Sequence, residues 1–315
     1  MVDKLILENY FKENILRPRT MKSYSQAMQK FTSCMNELGL NSIKQVTRDS
    51  LLEWRERELR VKGLTAISWN SYCRQLRAVF TFALEQGLVH WPENHFKTLQ
   101  VRTPGKRKKT LSDEQIAKTH EVFSNLVREE NENRYSGRIH PTWFWSIVFE
   151  TLYYTGMRRN QLINIRLKDV SLGDQTIFLS IQGSKAHSEN IIPIPNGLLE
   201  ALGILLARAK EIRFKPDDQL FNVTRFGTNR YKYKTMQDSN ISNAFRELSA
   251  RLDFPASPHR LRHTLGTKLM RQPEKNLHLV KAIFGHKDIR TTLEYVVPDL
   301  EDMRDLLNTM PKLTK

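Results

Sequence analysis

The segment HRLRH sets His259 and Arg262 three residues apart on a helix, where an imidazole and a guanidinium project to the same side and suit one phosphodiester. The same segment carries His259 and His263 at four-residue spacing, the pattern of a two-histidine metal clamp. Arg260 and Arg262 lie between them and no acidic third ligand is near, so the charge there repels a cation and favours an anion. Arg158 comes just after Gly156, where a new helix begins and its free backbone N–H groups also favour anions. Gly285 and His286 follow a helix that ends at Phe284, Tyr295 comes nine residues after His286, and residues 288–292 (DIRTT) open another helix between them. Each of these has a plain alternative: a solvated arginine, a hydrogen-bonded core histidine, a tyrosine packed beside Leu293 and Val296. Other chemistries lack their residues. There is no GxxxxGKS loop, no HExxH, no GxSxG and no carboxylate cluster at metal-binding spacing. The adjacent Asp217 and Asp218 face different ways on any regular element, which speaks against a two-metal nuclease.

The pieces gain meaning as an ordered set. Arg158 (in TGMRRNQL), Lys185, His259 and Arg262 (in HRLRHT), His286 and Tyr295 (in GHKDIRTTLEY) follow one another at intervals of 27, 74, 3, 24 and 9 residues. This series resembles the tyrosine recombinase (phage integrase) family over most of residues 111–308. The resemblance implies a site-specific recombinase or integrase that cuts and rejoins duplex DNA without metal, ATP or other cofactor. By the same likeness Tyr295 is the nucleophile, leaving a 3′-phosphotyrosyl link and a free 5′-hydroxyl. Arg158 and Arg262 hold the non-bridging oxygens, Lys185 protonates the leaving 5′-oxygen, His259 is the acid/base toward the tyrosine, and His286 adds a hydrogen bond to the phosphate. The implied partners are double-stranded DNA and further copies of the chain, a tetramer on DNA joined through the C-terminal helix, with room for an accessory directionality protein. Two neighbours depart from the family pattern: Gln161 stands where an acid is usual, and Val297 where histidine is frequent. Two rivals stand beside this reading, a type IB topoisomerase-like enzyme and a catalytically silent DNA-binding regulator. The HRLRHT and GHxxxxTTxxY signatures and the C-terminal helix favour the recombinase.

Elementary chemistry agrees with that set. A phenol with a reference pKa near 10 is a weak nucleophile at neutral pH, and a phosphodiester anion repels attack, so positive donors must converge on the phosphate. Guanidiniums supply planar forks matched to two phosphate oxygens and keep their protons.

The elements that must position these residues are mostly helices. Residues 143–154 (WFWSIVFETLYY) are apolar around most of the circumference and read as a buried central helix stopped at Gly156; residues 112–115 (SDEQ) form a capping box that opens the helix before it. Residues 176–181 (TIFLSI) and 189–194 (ENIIPI) read as a β-hairpin with Lys185 at or near its turn. Helices are expected at 198–212, 241–252, 260–270, 277–284 and 299–307, the last amphipathic and suited to docking. Upstream, Thr20 is expected to cap one helix, a second carries Leu51, Leu52, Trp54 and Leu59, and a third, from Tyr72 to Ala83, ends at Gly87. On that third helix Arg74 and Arg77 lie opposite the apolar stripe and suit phosphate contacts. The expected fold is therefore mainly α with a small antiparallel β-sheet. Residues 1–97 form a helical core-binding domain that clamps DNA, 98–110 a basic linker, and 111–315 a catalytic domain with a C-terminal docking helix.

Composition sets the bounds. The 315 residues suffice for two cores, and 50 Lys+Arg against 34 Asp+Glu leave a net charge of +16, a field suited to a polyanion. Lys106, Arg107, Lys108 and Lys109 concentrate it in the linker, and Arg230, Lys232 and Lys234 alternate with tyrosines in RYKYK; all seven are candidate DNA contacts. No segment reaches the roughly 18 apolar residues of a membrane span, the first residues lack a secretory signal, and two distant cysteines rule out a disulfide scaffold. A bacterial cytoplasmic protein associated with the nucleoid fits, and the length upstream of the linker leaves room for one DNA-clamp domain without a further arm-binding module.

Overall fold

The computed structural model of the chain describes residues 2–103, 109–135, 137–183, 189–227 and 235–297, with the isolated positions 303, 304 and 307. It divides into two compact units, residues 1–106 and 107–315.

The first unit is a helical bundle of α1 (Val2–Glu13), α2 (Pro18–Glu37), α3 (Arg48–Glu56) and α4 (Ala66–Glu85). Thr20 does not cap α2: Pro18 occupies the first helical turn, where its fixed φ and missing N–H suit a helix start, and Thr20 falls inside that turn. Thr47 caps α3, which runs on into a π-helical turn at Arg57–Val61. On α4, Trp69, Cys73, Leu76, Val79, Phe80 and Ala83 recur at helical spacing and are buried, while Arg74 and Arg77 are exposed. Trp54 and Trp69 meet edge to face at 4.9 Å in the centre of this core. The linker expected from residue 98 starts later. Leu99 is fully buried, its carbonyl accepts from Trp69 Nε1 at 2.8 Å, and Asn70 bonds both the N–H and the carbonyl of Val101. A side-chain amide has only one such pattern to offer a passing strand, so it holds that segment on α4.

The second unit contains α5 (Asp113–Asn131), α6 (Thr142–Thr155), α7 (Arg159–Leu162), β1 (Val170–Ser171), β2 (Thr176–Leu179), β3 (Asn190–Pro193), α8 (Asn196–Glu211), α9 (Val223–Phe226), α10 (Asp238–Leu252), α11 (Pro258–Leu269), α12 (Pro273–Phe284) and α13 (Ile289–Leu293). Helix α6 is its axis: Phe144, Val148, Phe149 and Leu152 are fully buried, and α5, α8 and α11 pack around it. The capping box at Ser112 and Gln115 is formed, each side chain bonding the other's backbone N–H. The three strands form one antiparallel sheet in the order β1-β2-β3, with Ile177 opposite Ile192 and Leu179 opposite Asn190. Ile177, Leu179 and Ile192 point into the core, as the pleat requires. The expected helix over residues 299–307 and the turn carrying Lys185 lie outside the described residues. Among the described residues no helix is long and apolar enough to cross a membrane.

Candidate active site

Ser257 starts α11 by accepting from Arg260 N at 3.2 Å, with Pro258 in the first turn. That start fixes the helical phase, so Arg262, His263 and Gly266 face inward while His259 is exposed. Arg262 is only 4% exposed. Its Nη1 donates to the Gly156 carbonyl at 2.7 Å and its Nη2 to the Phe284 carbonyl at 3.1 Å, with the guanidinium 4.0 Å over the Phe284 ring. Arg158 Nη1 donates to the same Phe284 carbonyl at 3.3 Å.

These carbonyls are the ends of helices. Gly156 terminates α6 at φ +58° and Gly285 terminates α12 at φ +59°, left-handed turns that glycine enters without strain and that leave the last carbonyls free to accept. The negative ends of two helix dipoles thus hold two guanidiniums. Among the described residues neither arginine has a carboxylate partner. Burial pushes the Arg262 guanidinium down to about 10, with the Arg158 charge as the second cause, and burial lowers Arg158 as well. Both still carry charge at neutral pH. Two close like charges, Arg262 buried and Arg158 half-buried, oriented by dipoles and without a carboxylate partner among the described residues, suit an anion with two accepting oxygens.

Gln161 is part of this frame. It is 5% exposed and its amide oxygen accepts from Arg158 N at 2.8 Å, so a neutral side chain fixes the arginine's backbone.

Beyond Gly285 the chain turns, and Asp288 caps α13 by accepting from Arg290 N. His286 is buried, its Nε2 2.8 Å from Arg262 Nη2 and its Nδ1 2.9 Å from Thr292 Oγ1. After α13 the chain returns to bury Tyr295, 3% exposed, with its ring stacked parallel to His286 at 6.0 Å and edge-on to Phe284 at 5.3 Å. The Tyr295 hydroxyl is hydrogen-bonded with Arg262 of its own chain. Gly266 makes room for that ring: a Cβ there would stand 2.5 Å from Tyr295 Cδ1.

Arg158, Arg262, His286 and Tyr295 are thus brought together. His259 stands at the exposed side of α11, its Nε2 2.8 Å from His263 Nε2, and the His263 ring lies 5.4 Å from that of Tyr295. The shared face expected for His259 and Arg262 is not found. Arg262 turns into the interior toward two carbonyls, while His259 meets the histidine one turn on. Among the described residues no group of three His, Cys, Asp or Glu side chains could hold a metal ion. Lys109 is exposed; Lys185, Lys106, Arg107, Lys108, Arg230, Lys232 and Lys234 lie outside the described residues.

The sequence reading missed Thr292, Gly266 and Asn190, and weighed His263 only as a metal ligand. Asn190 Nδ2 donates to the carbonyls of Ala282 at 2.9 Å and Ile283 at 3.4 Å, tying the return strand of the hairpin to the same end of α12 that receives both arginines. Nothing local in the sequence marked Thr292, Gly266 or Asn190.

Residues 119–301 match the phage integrase family, more than half of the chain, and residues 5–87 match that family's N-terminal SAM-like domain. The chain belongs to the phage integrase family. A Pseudomonas syringae protein provisionally named tyrosine recombinase XerC is 36% identical over 303 residues, covering 96% of this integrase-family chain and 63% of that protein. The chain therefore spans less than two thirds of that relative's length. Tyrosine recombinase XerD of Staphylococcus haemolyticus is 26% identical over 311 residues, 96% of this chain and 97% of its own. Among solved structures, the Tn1549 transposon integrase in complex with transposon right end DNA shares the fold with a TM-score of 0.73 at 18% identity, covering 98% of both chains. XerH bound to its difH substrate gives a TM-score of 0.66 at 18% identity over 92% of this chain and 79% of that one.

Proposed function

We propose that this integrase-family chain is a site-specific DNA recombinase that breaks and rejoins strands through a covalent tyrosine intermediate. One observation carries the proposal: the Tyr295 hydroxyl lies against Arg262 inside a pocket where Arg262 and Arg158 have no carboxylate partner among the described residues. In a folded core such charges are retained for an incoming anion. The anion is the scissile phosphate. Arg158 and Arg262 grip its non-bridging oxygens and offset the charge that builds up as the phenol attacks phosphorus. Tyr295 Oη forms the new ester bond, the bond to the 5′-oxygen breaks, and Lys185 delivers a proton to that oxygen. His259 takes the phenolic proton and His286 hydrogen-bonds the phosphate. The phosphotyrosyl ester conserves the linkage, so a second 5′-hydroxyl reverses the step on a new partner strand without ATP.

The SAM-like unit, with Arg74 and Arg77 on its surface, clamps the duplex together with the basic residues 106–109 and 230–234. Exchange between two duplexes needs four such sites, supplied by a tetramer joined through residues 299–307, with an accessory protein setting direction where required. The protein works on nucleoid DNA in a bacterial cytoplasm. The test is incubation with nicked suicide duplex drawn from the genomic DNA it protects. Wild type is expected to give a protein–DNA adduct that resists denaturant and Tyr295→Phe none. No adduct from wild type returns the protein to the silent regulators, and an adduct with supercoil relaxation but no strand exchange makes it topoisomerase-like.

A further inference from the structure

His286 has both ring nitrogens engaged, and the chemistry of the two partners dictates where its proton sits. Arg262 Nη2, 2.8 Å from Nε2, is a guanidinium nitrogen that donates and cannot accept. An N–H on Nε2 would set donor against donor at that distance. Nε2 is therefore the acceptor, the ring proton is on Nδ1, and the Thr292 hydroxyl, 2.9 Å away and fully buried, accepts it. Neutral histidine in water favours the other tautomer only slightly, so the fixed donor at Nε2 is enough to choose, and the Thr292 hydroxyl, able to accept, satisfies the proton left on Nδ1.

We propose that Thr292 is the positioning residue of the phosphate site: by taking the Nδ1 proton it holds His286 in the tautomer that Arg262 requires and keeps Nε2 pointed at Arg262. The proposal rests on reading this pocket as the phosphate site, and it has a chemical consequence there. A phosphate oxygen that enters between Arg262 and His286 accepts from the guanidinium and leaves Nε2 without its donor. A proton taken from solvent onto Nε2 then gives an imidazolium that donates to phosphate from Nε2 and to Thr292 from Nδ1, so both of its N–H groups are satisfied. Arg262 on α11 and Arg158 at the start of α7 share the Phe284 carbonyl beside the ring, with Phe284 edge-on to it at 5.6 Å and Tyr295 parallel to it at 6.0 Å. Sequence alone gave no reason to single out Thr292 from Thr291, which is exposed.

The test needs no DNA in its first arm. In full-length protein with ¹⁵N-labelled histidine, His286, assigned by comparison with His286→Gln, is expected to show a protonated Nδ1 and an unprotonated Nε2. Thr292→Ser keeps that pattern, and Thr292→Val, equal in size but without the hydroxyl, loses it. A protonated Nε2 in the wild type, or a Thr292→Val spectrum identical to wild type, overturns the proposal. In the second arm, single-turnover cleavage of suicide duplex should fall roughly tenfold in Thr292→Val and return to within about threefold of wild type in Thr292→Ser, the scale of one hydrogen bond to a charged group. Equal losses in the two variants would reduce Thr292 to packing. Absence of any adduct from wild type would instead remove the phosphate-site reading while leaving the tautomer measurement standing, so the two failures are distinct. Should Thr292→Val not fold, the wild-type and Thr292→Ser spectra decide.

Discussion

Arg262 owes its position to carbonyl oxygens rather than to a carboxylate, and that choice keeps its charge available. A carboxylate would orient the guanidinium equally well but neutralise it, whereas the ends of α6 and α12 orient it with partial charges. Tyr295 is positioned as much by space as by bonding. Its ring occupies the gap that Gly266 leaves on α11, where a Cβ would stand 2.5 Å from Cδ1 and 2.8 Å from Cε1. Gly266→Ala is therefore expected to displace the ring and cut adduct formation at least tenfold, at a stability cost of about 1–3 kcal/mol typical of overpacking. Cleavage and thermal unfolding measured together check it; wild-type cleavage would mean the ring does not depend on that gap. Singly none of Arg158, Arg262, His286 and Tyr295 stood out in the sequence; their order and spacing, through the resemblance to the tyrosine recombinase family, marked them as a set. Spacing did not reveal that His259 pairs with His263, since an i,i+4 histidine pair has the same spacing whether it binds a metal, a phosphate or itself.

At the scale of elements, the site depends on where two helices stop. Gly156 ends α6 in a left-handed turn, and an added Cβ would lie 2.7 Å from Phe284 Cε1 and 3.0 Å from Leu265 Cδ2. Gly156→Ala strains the backbone and separates α6 from α12, so it should destabilise the protein by about 2–4 kcal/mol and reduce cleavage beyond what the lost stability explains, because the Gly156 carbonyl that holds Arg262 moves with it. Denaturant unfolding and single-turnover cleavage check the two effects, and a stable, active variant would refute the role of this turn. Elements with strong periodicity or caps, such as α4, α5 and α6, were legible from the sequence. Two-residue β1, four-residue α7 and α9 and five-residue α13 were not, or only in part, since a period cannot be read from so few residues. The linker was placed too early for a different reason: its basic composition is genuine, but Leu99 and Val101 are claimed by a core whose Trp69 and Asn70 lie some thirty residues back.

For the whole molecule, the arrangement makes a statement about cooperation between copies. The Tyr295 hydroxyl meets Arg262 of its own chain, so the proposed nucleophile and the proposed phosphate-binding arginines belong to one protomer. Mixing Tyr295→Phe with Arg262→Ala, each expected to be inactive alone, should then give no adduct on suicide duplex, whereas recovery of cleavage would show that the tyrosine serves a neighbour's arginines. Tyr295 is also nearly sealed from solvent, so the proposed attack requires the pocket to open. Fold class and the division into two units followed from helix pattern and composition, while the convergence of segments spread over residues 158–295 is a property of tertiary packing that only the folded chain displays. The most direct test of that convergence is to digest the covalent adduct of the wild-type protein and identify by mass spectrometry the peptide that carries the DNA. A single linkage between Tyr295 and a DNA 3′-phosphate is the predicted result; attachment at any other residue, or to a 5′-phosphate, would contradict the account.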